Sequence, residues 1–194
     1  QMHACTKAYE PKEGIQKRPQ WHEEELLQVE KYVSEEDHLI VQYSKELITQ
    51  IKYLPKEKDN FGLIHADVHS GNFFYDGETI NVFDFDDCCY HWFASDIAIP
   101  LYYSILYGWM DKPKQERDEF GQYFMTHFLK GYTEVIVLPN GWKEQLPLFL
   151  KLRDIVLYAV LHKKITPEER DNRLEAMING IRERILKKLP IVNI

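Results

Sequence analysis

Asp67, Asn72 and Asp84 are three oxygen-bearing residues in an order that suits phosphoryl transfer. Asp67 and Asn72 belong to the run His65-Ala66-Asp67-Val68-His69-Ser70-Gly71-Asn72, and Asp84 opens the run Asp84-Phe85-Asp86-Asp87. Carboxylate and amide oxygens are hard ligands for a magnesium ion that bridges nucleotide phosphates, and a protein usually holds such an ion through only one or two carboxylates. A further carboxylate beside that ion can accept the proton of an attacking hydroxyl, or orient it, while the metal stabilises the charge in transfer. Asn72 and Asp84 are thus candidate metal ligands, and Asp67 is the candidate base.

The flanking residues explain why these groups should meet. Leu63-Ile64 is a short apolar entry, and Phe73-Phe74-Tyr75 and Thr79-Ile80-Asn81-Val82-Phe83 are rich in aromatic and β-branched residues. Asp76-Gly77 between them is a tight-turn signal, so the segment predicts an antiparallel hairpin. Folding it there sets Asn72 across from the end of the second strand, where Asp84 begins the next loop. Neighbouring strands lie roughly 5 Å apart, close enough for an amide oxygen and a carboxylate to converge.

His65-Ala66-Asp67-Val68-His69-Ser70-Gly71-Asn72 followed by Val82-Phe83-Asp84-Phe85 resembles the catalytic loop of the aminoglycoside phosphotransferase and choline kinase-like family. The usual form there is His-Gly-Asp-Leu-His-x-x-Asn followed by Ile-Asp-Phe or Ile-Asp-Trp. The resemblance implies ATP as phosphoryl donor, Mg²⁺, and a small-molecule hydroxyl as acceptor. It makes Asp67 the catalytic base, Asn72 and Asp84 the metal ligands, and His65 a residue that shapes the loop. Asp96, in Ser95-Asp96-Ile97-Ala98, matches an aspartate that opens the next helix and steadies the loop. Its specific part runs from Gly62 to Pro100. Ala66 departs from the common Gly, so a backbone position that Gly often fills must here suit a residue with a Cβ. For Asp86 and Asp87 two readings stay open: a further ligand or substrate contact, or support of the loop alone.

A protein kinase is a poorer match, because it carries His-Arg-Asp and a long activation segment after the metal-binding aspartate. Ala66 stands at the Arg position, and Asp84 is followed closely by Asp96 and an apolar helix. No Gly-x-Gly occurs, and no Lys sits in a convincing strand before Trp21. A nucleotide-binding β-lobe needs several strands of about five or six residues plus turns, more than the polar leader from Gln1 to Gln20 can hold. The expected organisation is therefore a hinge or linker leader over 1–20, left from a missing N-terminal lobe, and one kinase-like C-terminal lobe over 21–194. Such a lobe alone is expected to be inactive. A degenerate stand-alone domain beginning at Met2 is the alternative.

The expected fold class is α+β and mainly helical, with the small hairpin among packed helices. Helical spacing marks Glu23 to Val33, a segment after Ser34-Glu35-Glu36-Asp37, the apolar run from Asp96 to Tyr107, and stretches from about Gln115 to Val137 and from Trp142 to Lys163. Thr166-Pro167-Glu168-Glu169 combines an N-cap, an early Pro and a capping-box Glu ahead of Leu174, Met177, Ile178, Ile181 and Ile185.

Charge bears on the substrate. No Lys or Arg occurs between Lys58 and Lys112, a span that holds Asp67, Asp84, Asp86, Asp87, Asp96 and further acids, and the net charge is −7. This acidity suits a cationic substrate, an aminoglycoside or choline-like compound, and argues against nucleic acid. Trp92, Tyr102, Tyr103, Tyr107 and Trp109 read as core aromatics, with an aromatic cage for a cation as the alternative. No apolar run reaches the about 20 residues of a membrane span. Three cysteines without a Cys-x-x-Cys motif fit a reduced, cytoplasmic protein. Two other classes compete with the kinase: a metal-dependent phosphoesterase built on His65-x-Asp67-x-His69, and a non-catalytic kinase-like interaction module.

Overall fold

The apolar run after Ser95 becomes the central helix of the molecule. In the computed structural model, which describes residues 1–10, 13–14 and 17–194, α3 spans Phe93–Gly108. Ile97, Leu101, Tyr102 and Ile105 on it are completely buried. A helix apolar on all sides must be enclosed, and α3 packs lengthwise against α5 (Trp142–Lys164), whose Phe149, Ile155 and Tyr158 close the core. α2 (His38–Lys52) and α6 (Asn172–Leu186) bury one face each, Ile40, Leu47 and Ile51 on the first and Ile178, Ile181 and Ile185 on the second. α4 (Lys114–Thr133) lies on the other side of α3, and α1 (Met2–Lys7) packs on strand β1 (Phe61–Ile64).

Two small antiparallel ladders sit among these helices. The expected hairpin is β2 (Phe73–Tyr75) with β3 (Ile80–Val82), Phe73 opposite Val82 and Tyr75 opposite Ile80. β1 pairs with β4 (Cys89–Trp92), Phe61 opposite Trp92 and Ile64 opposite Cys89. The single expected hairpin is thus accompanied by a second ladder. Cys89-Tyr90-His91-Trp92 shows no clean alternation and runs straight into α3, which masks it in the sequence. The fold class is α+β, a kinase-like C-terminal lobe.

Two expected helices differ in form. The segment 23–33 is a succession of 3₁₀ turns, Trp21–Glu23, Glu25–Leu27 and Val29–Lys31, burying Trp21, Leu27 and Val29. The Glu24 side chain accepts the Leu26 amide at 3.1 Å, a local bond that competes with a continuous helix. The capping box of Thr166 and Glu169 closes its own 3₁₀ turn at Pro167–Glu169. The chain then extends at Arg170, and Asp171 caps α6 by accepting the Leu174 amide at 2.7 Å. Within the leader, α1 carries the buried His3, and the Pro19 carbonyl accepts the Tyr90 amide at 2.9 Å. Pro11, Lys12, Ile15 and Gln16 of that leader lie outside the described residues. Among the described residues, no helix is long and apolar enough to cross a membrane.

Candidate active site

The hairpin turn is held by Asp76, whose Oδ1 accepts the amides of Glu78 at 2.9 Å and Thr79 at 2.7 Å, while Gly77 takes φ 103°. At the other end the Phe83 amide donates to the Asn72 carbonyl at 3.0 Å. Asn72 therefore lies opposite the residue just before Asp84. Asp84 has a left-handed φ of 62°, a conformation that Asp tolerates better than most residues and that turns the chain out of β3.

Asp96, in the first turn of α3, anchors the loop that precedes the hairpin. Its carboxylate accepts the amides of His65 at 3.0 Å and Ala66 at 2.8 Å, and His3 Nε2 lies 3.0 Å from Oδ2. Burial alone would raise the Asp96 carboxyl, but His3 and the two amides hold it below the usual carboxylate range. Ala66 adopts φ 69°, which explains the family's preference for Gly there. His65 Nδ1 accepts the Asp67 amide at 3.3 Å, so Nε2 carries the proton and donates to the Phe83 carbonyl at 3.0 Å. The loop and the hairpin are joined through that imidazole.

Asp67 is held by three side chains. Asn72 Nδ2 donates to its carbonyl at 2.9 Å and to its Oδ2 at 3.1 Å, and His69 Nε2 lies 3.3 Å from the same oxygen. Oδ1 forms an ion pair with Arg153 of α5. Arg153 Nε donates to the Tyr103 hydroxyl at 3.1 Å, and the guanidinium sits 4.9 Å from the Tyr103 ring centroid. Burial is the main reason that the Tyr103 hydroxyl titrates above its ordinary range and stays protonated. Sequence reasoning missed Arg153 and His3 as parts of the site and named Tyr103 only as a core or cage aromatic. The signal for Arg153 was present: Arg153-Asp154 is a charged pair in the otherwise apolar run from Leu152 to Leu161.

Asn72 spends its amide N–H groups on Asp67, which leaves Oδ1 as an acceptor, and the exposed Asp84 carboxylate has no hydrogen-bond partner among the described residues. An amide oxygen and an uncommitted carboxylate fit a magnesium ion whose other ligands are phosphates and water. Among the described residues, no group of three His, Cys, Asp or Glu side chains could hold a metal ion, and His65 has both ring nitrogens engaged within the protein. Those facts disfavour the phosphoesterase reading.

Asp67 opens on a cleft of about 580 Å³ between α5, the turns from Trp21 to Leu27, and the loop from Asp86 to Cys89. Glu23, Glu24, Glu25, Asp86 and Asp87 line it. Asp86 also accepts Arg18 Nη1 on its carbonyl at 2.9 Å. Burial, then the charges of Asp67 and Glu24, raise the Asp87 carboxyl. Burial pushes the Cys88 thiol up to about 11 and the Cys89 thiol to about 12, and holds His91 down at about 3, so all three are neutral near pH 7. Of the five aromatics, Trp92 and Tyr102 are fully buried core, Trp109 stacks on Phe120 with centroids 4.3 Å apart, and Tyr103 alone lines the cleft.

Comparison with known proteins gives the same picture. A family described as "Phosphotransferase enzyme family" matches residues 1–135. An amicoumacin kinase from Bacillus subtilis (strain 168) is 40% identical over 190 residues, which cover 98% of this chain and 56% of that protein. A solved amicoumacin kinase in complex with AMP-PNP, Ca²⁺ and Ami superposes with a TM-score of 0.90 at 39% identity, covering 98% of this chain and 57% of that one. The microcompartment-associated aminopropanol kinase shares the fold, with a TM-score of 0.70 at 23% identity over 98% of this chain and 61% of that one. The chain thus spans a little over half the length of the curated relative it matches. With the family's match extending over the catalytic loop, the hairpin and Asp96, this chain belongs to the phosphotransferase enzyme family.

Proposed function

We propose that the chain is the catalytic lobe of an ATP- and magnesium-dependent kinase that phosphorylates a hydroxyl of a small, cationic molecule. The observation that carries this reading is the Asp67 carboxylate, which opens on the cleft and is held at 3.1 Å by the Asn72 amide, itself bonded across the hairpin to the residue before Asp84. Bound there, magnesium and ATP would supply the transferable phosphoryl group and the positive charge that steadies it. Asp67 orients the substrate hydroxyl and accepts its proton. His65 and Asp96 fix the loop that carries Asp67. Asp86 and Asp87, with Glu24 across the cleft, supply negative charge for a substrate cation. The AMP-PNP and Ca²⁺ named with the amicoumacin kinase support a nucleotide and a divalent cation at this site.

A second lobe that covers the nucleotide is part of the proposal. The chain's 56% coverage of its relative supports it. So does the hairpin, which exposes Tyr75 at 64% and Ile80 at 59% as a cross-strand pair and Phe74 at 70% on its other face, apolar surface of the kind that marks an interaction site.

The test is Asp67→Asn in the protein carrying both lobes, assayed for phosphate transfer from ATP to amicoumacin and to a panel of amino alcohols. Turnover should fall by about 10²- to 10⁴-fold, the usual worth of a positioned base. Undiminished turnover would remove Asp67 from the mechanism.

A further inference from the structure

The cleft holds a cation of its own at the place where a cationic substrate is least welcome. Its lining carries six carboxylates, on Glu23, Glu24, Glu25, Asp67, Asp86 and Asp87. Against them stand Lys163, Lys164 and Arg153. Lys163 is engaged by Glu25 at 3.1 Å, and both lysines lie roughly 15 Å along α5 from Arg153, at about 1.5 Å rise per residue. Among the described cleft residues, Arg153 is thus the cation at the catalytic end. It is paired with Asp67, and its side chain is only 18% exposed.

Consider a molecule bearing both an ammonium and a hydroxyl. Its ammonium would make the stronger bond to a bare carboxylate, because it adds the attraction between two full opposite charges to a hydrogen bond that a hydroxyl can also make. On Asp67 that bond is unproductive, since it leaves the hydroxyl elsewhere. Asp67 is not bare, however. Arg153 takes Oδ1, while Asn72 and His69 take Oδ2. A carboxylate has about four lone-pair positions, so three are filled and one remains, beside a charge already neutralised. Such a position accepts a hydroxyl far better than it attracts a second cation.

We propose that Arg153 is a specificity-determining residue: a resident cation that keeps the substrate's ammonium off Asp67 and sets the binding register, hydroxyl on Asp67 and ammonium on Asp87 and Glu24. This rests on the kinase reading above. Several features fit a fixed rather than a mobile counter-ion. The guanidinium lies over the Tyr103 ring, Tyr103 accepts its Nε at 3.1 Å, and Tyr103 is itself stacked on Tyr107 with centroids 5.2 Å apart. Asp87 is placed to receive the displaced ammonium, since it lines the same cleft as Asp67, Glu24 and Arg153. A guanidinium also stays charged at every physiological pH, so the exclusion does not titrate away.

The test separates binding from chemistry. Propane-1,3-diamine, a dication with no hydroxyl, is titrated calorimetrically without ATP into the two-lobed protein, as wild type and as Arg153→Gln. The glutamine variant should bind the diamine at least tenfold more tightly. In parallel assays with an amino-alcohol substrate its kcat and KM should fall together, by up to about tenfold, with kcat/KM little changed, the pattern of unproductive binding. Arg153→Lys, which keeps the charge, should bind the diamine like the wild type. Diamine affinity that is unchanged or weaker in Arg153→Gln overturns the proposal. Should that variant fail to fold, Tyr103→Phe decides: it frees the guanidinium and should tighten diamine binding about threefold, and no change counts against the role. The titration needs no phosphoryl transfer, so an inactive wild type would count against the kinase reading without touching this result.

Discussion

His3 Nε2 and Asp96 Oδ2 stand 3.0 Å apart, both buried, joining the first helix of the chain to the residue that anchors the loop bearing Asp67. The other ring nitrogen of His3 is 2.7 Å from the Tyr132 hydroxyl on α4. His3→Ala leaves one oxygen of a buried carboxylate short of a partner and should cost about 1–3 kcal/mol in a urea melt. The pH dependence follows from the lowered Asp96 carboxyl. Its stabilisation is complete above the unfolded value near 3.8 and is lost as the pH falls from there through the lower folded value. Removing His3 raises that folded value, so acid unfolding of His3→Ala should begin at higher pH than in the wild type. An unmoved acid transition would show that the pair contributes nothing.

Ala66 offers a gain in stability. A left-handed conformation costs a residue with a Cβ about 1–2 kcal/mol, and glycine gives back about 0.4–1 kcal/mol through its freer unfolded chain. With φ at 69°, Ala66→Gly should stabilise the protein by about 0.5–1 kcal/mol, and Ala66→Val should destabilise it. Denaturant midpoints in the reverse order would contradict the strain assigned to this peptide.

The amide of Asn72 is as important as its oxygen. Asn72→Asp would face a second carboxylate against Asp67 Oδ2, at a contact that is now a 3.1 Å hydrogen bond. Without bound metal, the aspartate variant should therefore melt below Asn72→Ala at pH 7, and the gap should narrow on acidification as one of the pair is protonated. Equal melting of the two variants at pH 7 would argue against the contact.

One residue further along α5, Asp154 is 1% exposed and accepts Arg184 Nε at 2.9 Å, Arg184 Nη2 at 2.6 Å and the Tyr102 hydroxyl at 2.7 Å. Arg184→Met strands that carboxylate and should cost about 3–5 kcal/mol, more than the double change with Asp154→Leu, because an uncompensated buried charge is worse than none. Equilibrium unfolding of the two variants measures the difference directly.

What could be read in the sequence was local. Asp67, Asn72 and Asp84 are brought together by a turn at Asp76-Gly77 and a short ladder, and both leave marks in neighbouring residues: β-branched and aromatic runs, a turn dipeptide, a fixed spacing. Asp96 was marked by the resemblance alone, as the aspartate that opens the next helix. Arg153 and His3 were not tied to the site, because the charged pair Arg153-Asp154 marks a polar spot in an apolar helix without naming its partner, and His3 meets Asp96 only across 93 residues. The pairing of Cys89–Trp92 with Phe61–Ile64 was hidden likewise, since neither strand alternates. The spacing from Glu23 to Val33 reads as a helix where the chain forms 3₁₀ turns, because a period of three differs from 3.6 by too little over so short a stretch.

The two bonds that hold the catalytic loop from outside also carry a consequence for how it forms. Arg153 and Asp67 are 86 residues apart, and His3 and Asp96 are 93. Contacts of such separation close large loops and tend to appear late in folding, after the hairpin and helices have taken shape. The hairpin can assemble from its own sequence, but the loop bearing Asp67 waits for α1 and α5 to dock. A peptide cut from Gly62 to Pro100 would keep the whole signature and lack the loop's outer supports.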